Sequence, residues 1–377
     1  MKKNKLLIAI GTVVLIGIVS LLIYKAQNKS ASDGVLRIGA ILPLTGPVAD
    51  DGQEAMRGVK IAGEMIKSKS EAPVDVLIED GKYSPKESIA AFRKLSSQSN
   101  VGAMVAYGVV PVEVMMPIIK GSGMPLLATA VGAKDFPSRN DGFIRVWFPI
   151  GRISRLMSEY ANTALNTPKI ALFCIDNSYG LEAMDAFASA YKNQGGIVVA
   201  KETFSMDDMD VKSQLVKSLK SSPNVFFISG FGQGYISAIN QLRELGFMGV
   251  ILTDTAIVDP KVRKSVKNVS NIYFVDSCFS DICDSTPEAM EFKQKYMNMT
   301  SQQEPSMQAL FSYEAIMLGH DMLKNGIEAV MCGRHNSILG EISFGDKGEI
   351  VLPLIIRRFT NEGNIELVNN KAWMSIR

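Results

Sequence analysis

Loops with polar and glycine residues follow several short apolar runs in this sequence, and we expect a small molecule to bind at these loops. In open α/β sheets, ligands bind beyond the carboxyl ends of the strands. The segments in this position are Thr45-Gly46-Pro47, Gly108-Val109-Val110, Thr129, Tyr179, Gly230 to Gly234 and Asp254-Thr255. Their hydroxyls, backbone N–H groups and carboxylate suit the polar ends of a small ligand. The Tyr179 ring could cover an apolar ligand body while its hydroxyl forms a hydrogen bond.

Enzymatic chemistry has less support from the residue pattern. The segment Gly230-Phe231-Gly232-Gln233-Gly234 is similar to a dinucleotide-binding turn, but Tyr235 occupies the third glycine position of that fingerprint. The sequence contains no Gly-x-Ser-x-Gly elbow, and His320 and His335 have no Ser or Cys partner in a recognisable motif. We therefore expect no enzymatic activity, no cofactor and no metal site. An NAD-dependent enzyme is the least favoured alternative.

Strands and helices that alternate at βαβ spacing would position these loops. The apolar run at 36–42 is typical of a strand buried on both faces of a parallel sheet. A helix is predicted to begin near Asp51, with Asp51 as its N-cap and Glu54 completing a capping box. The same alternation repeats after residue 169, which favours two doubly wound α/β lobes over one long sheet.

Length and composition agree with a two-domain globular protein. The chain has 377 residues, 47% hydrophobic and 21% charged, with a formal net charge of +2. Because the basic residues are scattered, we expect no nucleic-acid surface.

The N-terminus carries a targeting signal. Lys2, Lys3 and Lys5 precede an apolar segment from Leu6 to Tyr24, as in an export signal. The segment is nearly as long as a membrane span and the cleavage site at 30–32 is weak, so a retained anchor is slightly favoured over a cleaved signal. Both alternatives place the remaining chain in the periplasm or on the outer face of the cytoplasmic membrane.

The cysteines suggest one candidate disulfide. Cys278 and Cys283 flank a short loop and could be joined in an oxidising compartment, whereas Cys174 lies in an apolar run and is predicted to be a buried thiol. No cysteine spacing resembles a zinc site.

Three segments resemble the leucine/isoleucine/valine-binding family of periplasmic solute-binding proteins, which have the type I periplasmic binding protein fold. They are IGAILPLTGPVADDGQEAMRGVKIA at 38–62, SYEAIMLGHDML at 312–323 and GEISFGDKGEI at 340–350. The resemblance implies two lobes joined by a three-crossing hinge, with a ligand cleft between them. By match, the crossings fall near 147–148, 276–277 and 339–340. This gives an N-terminal signal or anchor at 1–34, lobe 1 at 35–147 and 277–339, and lobe 2 at 148–276 and 340–377.

The resemblance also implies how a ligand would bind. The family holds the carboxylate of an amino acid with hydroxyls and N–H groups of lobe 1, and its ammonium with an acidic side chain of lobe 2. The matching lobe 1 residues, Val109 and Val110, have no hydroxyl, so Thr129 is a candidate replacement. The acidic position falls at Thr255, one residue from Asp254. We therefore predict a neutral or cationic ligand that depends less on a carboxylate than leucine does, with an apolar body against Tyr179 and Val110.

Two further candidates come from the same match. Asp51 lies where the family often places a ligand-contacting aromatic residue, although a helix N-cap is the favoured interpretation. Trp147 lies at the first crossing and either faces the ligand or packs in the core. The predicted ligand-binding residues are Thr45, Gly46, Pro47, Asp51, Gly108, Val109, Val110, Thr129, Trp147, Tyr179, Gly230, Gly232, Asp254 and Thr255.

The predicted function is that of a monomeric extracytoplasmic solute-binding protein. It would capture a small amino-acid-like ligand by lobe closure and deliver it to an ABC-type import permease. The alternative is a membrane-tethered sensor ectodomain that signals through a partner protein.

Overall fold

The computed structural model describes residues 35–98, 100–120, 122–132, 142–166, 169–277, 279, 286–360 and 362–368. The predicted N-terminal signal or anchor at 1–34 and the predicted Cys278–Cys283 disulfide lie outside these residues. Within them, no helix has the length and apolar character needed to cross a membrane.

The first sheet consists of β1 (Leu36–Leu42), β2 (Val74–Asp80), β3 (Val101–Tyr107), β4 (Leu126–Thr129) and β5 (Phe143–Arg145). These strands are parallel, in the order β2-β1-β3-β4-β5. The connecting helices are α1 (Ala49–Lys69), α2 (Pro85–Ser96) and α3 (Val109–Ile119). Because helices cover the sheet, the central residues of β1 and β3 are fully buried, which explains their continuous apolar sequence.

The second sheet contains β6 (Lys169–Ile175), β7 (Ile197–Phe204), β8 (Val225–Ser229), β9 (Val250–Thr253), β10 (Ile272–Ser277), β14 (Leu354–Phe359) and β15 (Ile365–Leu367). Its order is β15-β14-β10-β9-β8-β6-β7. The helices in this half of the chain are α4 (Ile150–Thr163), α5 (Ser178–Asn193), α6 (Lys212–Leu219), α7 (Gly232–Glu244) and α8 (Pro260–Ser265), with a 3₁₀ helix at Thr255–Val258. The five strands from β6 to β10 repeat the order of the first sheet.

Three later helices belong to the first lobe: α9 (Pro287–Met299), α10 (Met307–Asn325) and α11 (Ile327–Cys332). α10 packs against α1 and against β1, β3 and β4. The backbones of α1 and α10 approach so closely that a Cβ on Gly58 would lie 2.0 Å from the carbonyl oxygen of Ala309. Residues more than 240 positions apart therefore form one layer of the lobe.

A small antiparallel sheet of β11 (His335–Ser337), β12 (Gly340–Phe344) and β13 (Ile350–Val351) follows α11. The Arg145 N–H donates to the Gly348 carbonyl oxygen at 2.8 Å, which ties the turn before β13 to the end of β5. The chain thus passes between the two lobes three times: after β5, after β10 and before β14.

The predicted α/β fold with two lobes is confirmed, with two corrections. The second sheet is not wholly parallel, because β14 and β15 add to it as antiparallel strands. The prediction of Asp51 as an N-cap is also wrong. Val48 is the N-cap of α1, Asp51 lies in the first turn, and Glu54 accepts hydrogen bonds from Tyr296 and Ser306 instead of closing a capping box. Cys174 is fully buried as predicted, whereas the exact lobe boundaries stay a prediction.

Candidate functional site

The first-lobe half of the site lies at the switch point of the first sheet, where β1 and β3 are neighbours. Chain connections leave such strands toward opposite faces of the sheet, which opens a crevice beyond their carboxyl ends. The turn at Gly46 follows β1, and Gly108 follows β3 and precedes the first turn of α3. The predicted Gly108, Val109 and Val110 are therefore at the crevice, with the N–H groups of α3 directed out of its N-terminus.

Tyr83, which the sequence prediction did not include, covers this helix start. Gly108 has φ +90°, and a Cβ on it would lie 2.3 Å from Cε2 of Tyr83. The Tyr83 hydroxyl lies near the backbone N–H groups of Val109 and Val110. Burial raises the pKa of Tyr83, and these nearby N–H groups act against the increase.

Asp51 lies beside this tyrosine and faces the second lobe. Its carboxylate interacts with the Tyr107 hydroxyl and accepts a hydrogen bond from Nε2 of Gln308 at 3.3 Å. Burial, followed by the negative charge of Asp259, raises the pKa of Asp51 to about 6. Since Asp259 precedes α8 in the second lobe, two acidic groups from different lobes act on each other across the cleft.

The second-lobe half of the site is organised around Asp254, which is fully buried. Its Oδ2 accepts hydrogen bonds from the Tyr179 hydroxyl at 3.1 Å, the Ser229 hydroxyl at 2.6 Å and the Gly230 N–H at 3.0 Å. Its Oδ1 accepts one from the Ala256 N–H at 3.0 Å. Burial raises the pKa of Asp254, while these donors lower it. Protein donors therefore engage both carboxylate oxygens and fix the positions of Tyr179 and the Gly230 loop.

The two lobes touch around the cleft. A Cβ on Gly132, just after β4, would lie 2.7 Å from Cε2 of Tyr179, so the tyrosine ring rests on the first lobe. Nζ of Lys261 in α8 lies 2.8 Å from Oδ2 of Asp50 in α1, and both side chains are largely exposed. The site is therefore built jointly by both lobes, with an ion pair at its rim.

Comparison with known proteins agrees with this architecture. Residues 35–330 match the family described as periplasmic binding protein. The chain belongs to this family.

Individual relatives are distant. Leu/Ile/Val-binding protein homolog 3 of Brucella melitensis is 25% identical over 232 residues, which are 59% of this chain and 62% of that protein. The chain thus matches less than two thirds of that relative. LivJ of Streptococcus pneumoniae, in complex with isoleucine, superposes with a TM-score of 0.76 at 21% identity, covering 88% of this chain and 98% of LivJ. A solute-binding protein of R. palustris in complex with benzoate superposes with a TM-score of 0.73 at 18% identity, covering 89% of this chain and 96% of that protein.

These similarities confirm the predicted resemblance and the fold of this periplasmic binding protein. The matched family and the similar structures are solute-binding proteins rather than enzymes, and the family implies a location outside the cytoplasm.

Other predicted site residues of this periplasmic binding protein have mainly structural contacts. The Thr45 hydroxyl donates to Oδ2 of Asp80 at 2.6 Å, which fixes the exposed loop containing Gly46 and Pro47. The Thr129 hydroxyl is buried and lies 3.5 Å from the Ala106 carbonyl oxygen.

Three more predicted residues lie at turns or between aromatic rings. Trp147 packs on Phe311 and Phe148, with ring centroids 4.7 and 5.3 Å away. Gly232 begins α7 with φ +78°, and Thr255 begins the 3₁₀ helix and is buried. These three residues therefore have structural roles that do not require a bound ligand.

Several residues of the site escaped the sequence prediction. Tyr107 ends β3, so the rule that nominated Gly108 could have included it. Asp259 and Lys261 lie shortly after Asp254 on the following loop and helix. Gln308 comes from α10, and no local signal links it to Asp51. Among the described residues, no group of three or more His, Cys, Asp or Glu side chains could hold a metal ion.

Proposed function

We propose that this protein is an extracytoplasmic solute-binding protein that captures a small amino-acid-like ligand by lobe closure. It would then deliver the ligand to an ABC-type import permease. The observation that supports this most directly is the convergence of Asp51 from the first lobe and Tyr179 from the second on one cleft, bordered by the Asp50–Lys261 ion pair. Closure about a hinge is the motion such a two-lobed architecture allows.

The proposed ligand is neutral or cationic, with an apolar body against Tyr179 and Val110. Two acidic groups, Asp51 and Asp259, act on each other across the cleft, and the nearby cation Lys261 is paired with Asp50. A ligand carboxylate there would lack a strong counter-charge, and an unpaired buried charge costs several kcal/mol. The fold itself does not select the ligand, since similar structures contain isoleucine in one case and benzoate in another.

A membrane-tethered sensor ectodomain is the second proposal. The apolar segment from Leu6 to Tyr24 favours it, because a retained anchor would hold the lobes at the membrane surface next to a signalling partner. Carbonate extraction and intact mass of the native protein test the tether. A soluble species beginning near Asp33 would contradict it.

A thermal-shift screen tests the solute-binding proposal. The screen includes amino acids and their amides, amines, and aromatic acids and their amides. A compound that binds only the folded protein at 100 times its Kd stabilises it by about 2.7 kcal/mol, which a melting curve detects. We expect shifts from neutral or cationic compounds and weak or no binding of leucine, isoleucine and valine by calorimetry.

Two tyrosine variants on α5 provide the matched control. Tyr179→Phe removes the hydroxyl that binds Asp254, whereas Tyr191→Phe removes a hydroxyl near the other end of the same helix. We expect Tyr179→Phe to weaken binding of the active compound and Tyr191→Phe to preserve it. Absence of any shift across the screen, or equal effects of the two variants, would contradict the proposal.

A further inference from the structure

Asp254, the buried acidic residue of the second lobe, has little capacity left for a ligand. Its Oδ2 already accepts hydrogen bonds from Tyr179, Ser229 and Gly230, and its Oδ1 accepts one from Ala256. An ionised carboxylate offers about four acceptor sites in all, and Asp254 is fully buried. A ligand N–H group would have to displace a protein donor to bind here. The acceptor for a nitrogen-containing head group must therefore lie elsewhere in the cleft.

Two helices of the first lobe bring their first turns together at the cleft. The Gln308 side chain in α10 contacts Asp51 in α1, and further along the same two helices the Tyr313 hydroxyl lies 3.6 Å from Sδ of Met65. The contacts advance along both helices in the same direction, so α1 and α10 run parallel and begin at the same edge. α1 begins just after the loop that follows β1, at the edge where ligands bind in such sheets. Asp51 and Gln308 are therefore placed on the first-lobe side of the cleft.

The two polar atoms of the Gln308 amide have unlike surroundings. Nε2 donates to Oδ1 of Asp51 at 3.3 Å, which is long for an N–H···O hydrogen bond. Oε1 is buried, and none of the residues that the structure describes donates a hydrogen bond to it. Exchanging the two amide atoms would place the oxygen against the carboxylate, so the observed orientation is the favourable one. Because buried acceptors in proteins are nearly always satisfied, Oε1 is an acceptor that a ligand donor would complete.

Asp51 supplies negative charge next to this oxygen. It is partly exposed, and a carboxylate that accepts from Gln308 and interacts with Tyr107 still has acceptor sites left. Lys261, the cation at the rim, forms its ion pair with Asp50 at 2.8 Å instead. Burial raises the pKa of Asp51 to about 6, so the carboxylate is still mainly ionised at neutral pH. Asp51 and Gln308 thus offer two neighbouring acceptors, one of them charged.

We infer that Asp51 and Gln308 form a first-lobe head-group site: the Asp51 carboxylate and Oε1 of Gln308 accept hydrogen bonds from a ligand ammonium group, and Asp254 acts only by positioning Tyr179. An ammonium has three N–H donors and no acceptor, so it can satisfy both groups at once. The arrangement is the reverse of the one that the family resemblance implies, in which the second lobe holds the ammonium. Because Oε1 is buried, the ligand would enter while the lobes are apart. This inference rests on the proposed solute-binding function and adds the head group and its partners.

Calorimetry with two matched pairs of compounds tests this site. Benzylamine is compared with benzyl alcohol, and leucinamide with isocaproamide, so that only the first member of each pair carries an ammonium. The proteins are the wild type, Asp51→Asn, Gln308→Met, Asp254→Asn and Glu64→Gln. Glu64 is an exposed acidic residue on the same helix as Asp51, so Glu64→Gln removes one negative charge away from the cleft. The measured quantity is the affinity ratio of the ammonium compound to its neutral counterpart.

We expect the wild type to prefer the ammonium compound of each pair. In Asp51→Asn the ratio should fall about tenfold or more, because a hydrogen bond between two charged groups is lost. In Gln308→Met it should fall about threefold or more, because one neutral acceptor is lost. Asp254→Asn should weaken both members of a pair alike and leave the ratio within about twofold, since it moves Tyr179 and not the head group. Glu64→Gln should leave both affinities unchanged.

Gln308→Met keeps the test decisive if circular dichroism shows that Asp51→Asn is unfolded. Unchanged ratios in the folded variants of Asp51 and Gln308, or a ratio that falls in Asp254→Asn instead, would overturn the inference. A wild type that binds other compounds of the screen without preferring the ammonium compounds would overturn it too. A fall in Asp51→Asn alone would overturn the role of Gln308. A wild type that responds to no compound in the broad screen is a different result, since it contradicts the solute-binding function itself.

Discussion

Asp254 shows how one buried side chain organises half of a site. Its carboxylate accepts hydrogen bonds from two hydroxyls and two backbone N–H groups belonging to α5, β8, the following loop and the 3₁₀ helix. Hydrogen bonds to a charged group are among the stronger ones in proteins, and a buried donor left without an acceptor is costly. Asp254 therefore fixes the position of Tyr179, and through it would act on the proposed ligand.

Replacing this carboxylate should reduce both stability and binding. Asp254→Asn keeps the shape but removes the charge and turns an N–H₂ toward at least one of the four donors, so we expect the free energy of unfolding to fall by about 2 kcal/mol or more. Ligand affinity should fall as well, because the contact that positions Tyr179 is weakened. Urea unfolding measures the first effect, with Asp207→Asn, an exposed carboxylate, as the control. Equal unfolding midpoints for the two variants would contradict the role of Asp254.

Asp51 should make stability depend on pH. Burial and Asp259 raise its pKa to about 6 in the folded protein, above the ordinary value for aspartate. The folded state then binds the proton more tightly than the unfolded state, so this contribution to stability is present at acidic pH and is lost as the pH rises through about 6. Glu314, whose pKa burial raises to about 8, contributes with the same sign.

The comparison of wild type with Asp51→Asn isolates the Asp51 contribution. Between pH 4.5 and 7.5, the free energy of unfolding should decrease less steeply in the variant, because Glu314 titrates equally in both proteins. Denaturant unfolding at several pH values gives both slopes. Parallel curves would show that Asp51 titrates alike in the folded and unfolded states.

At the scale of one element, the start of α3 shapes the first-lobe half of the candidate site. Gly108 combines φ +90° with direct contact to the Tyr83 ring, whereas Gly123 has φ +73° and nothing within 4 Å of an added Cβ. The two glycines therefore separate the cost of conformation from the cost of collision.

Alanine substitutions at these glycines should differ in effect. Gly123→Ala meets only the conformational penalty of roughly 1–2 kcal/mol. Gly108→Ala adds the displacement of Tyr83 and should destabilise the protein clearly more, with a change in tyrosine near-UV circular dichroism. Denaturant unfolding of both variants measures the difference. Equal losses of stability would mean that Tyr83 adapts without cost.

The sequence predicted the regular elements better than it predicted the site. The strand predicted for the apolar run at 36–42 has the limits Leu36–Leu42 in the structure, because a short apolar run followed by turn residues leaves little freedom. α4 and α9 were not predicted, although Thr286 caps α9 and is followed by a proline, an N-terminal signal that was available. The place of Tyr83 could not be predicted: it depends on left-handed backbone at two non-glycine residues and on a contact with Gly108, 25 positions away.

At the scale of the whole molecule, the Asp50–Lys261 pair links the lobes in the form described here. Because both side chains are largely exposed, the pair contributes little, in the range of about 0.2–1 kcal/mol. Salt would weaken it further. The proposed lobe closure would therefore depend mainly on contacts in the cleft, with the rim pair as a small bias.

Lys261→Ala should shift the open–closed balance of the ligand-free protein toward the open form, by at most about fivefold, since 1 kcal/mol corresponds to that factor. Small-angle scattering at low salt should show a slightly larger radius of gyration. Lys264→Ala, an exposed lysine on the same helix α8, is the control. The difference between the two variants should vanish at high salt, and a difference that persists there would exclude an ion-pair effect.

The late arrival of α10 and β14 in the chain has a consequence for biogenesis. All strands of the first sheet have been synthesised by residue 145, but α10, one of the helices that cover them, begins only at Met307, and the second sheet gains its antiparallel strands only from Leu354 onward. A nascent chain therefore leaves part of the apolar surface of each lobe uncovered until these late elements have been made. Contacts of such long sequence separation form slowly, because a large loop must close before they stabilise the structure. This gives chaperones a long interval in which to hold the chain before either lobe can bury its core.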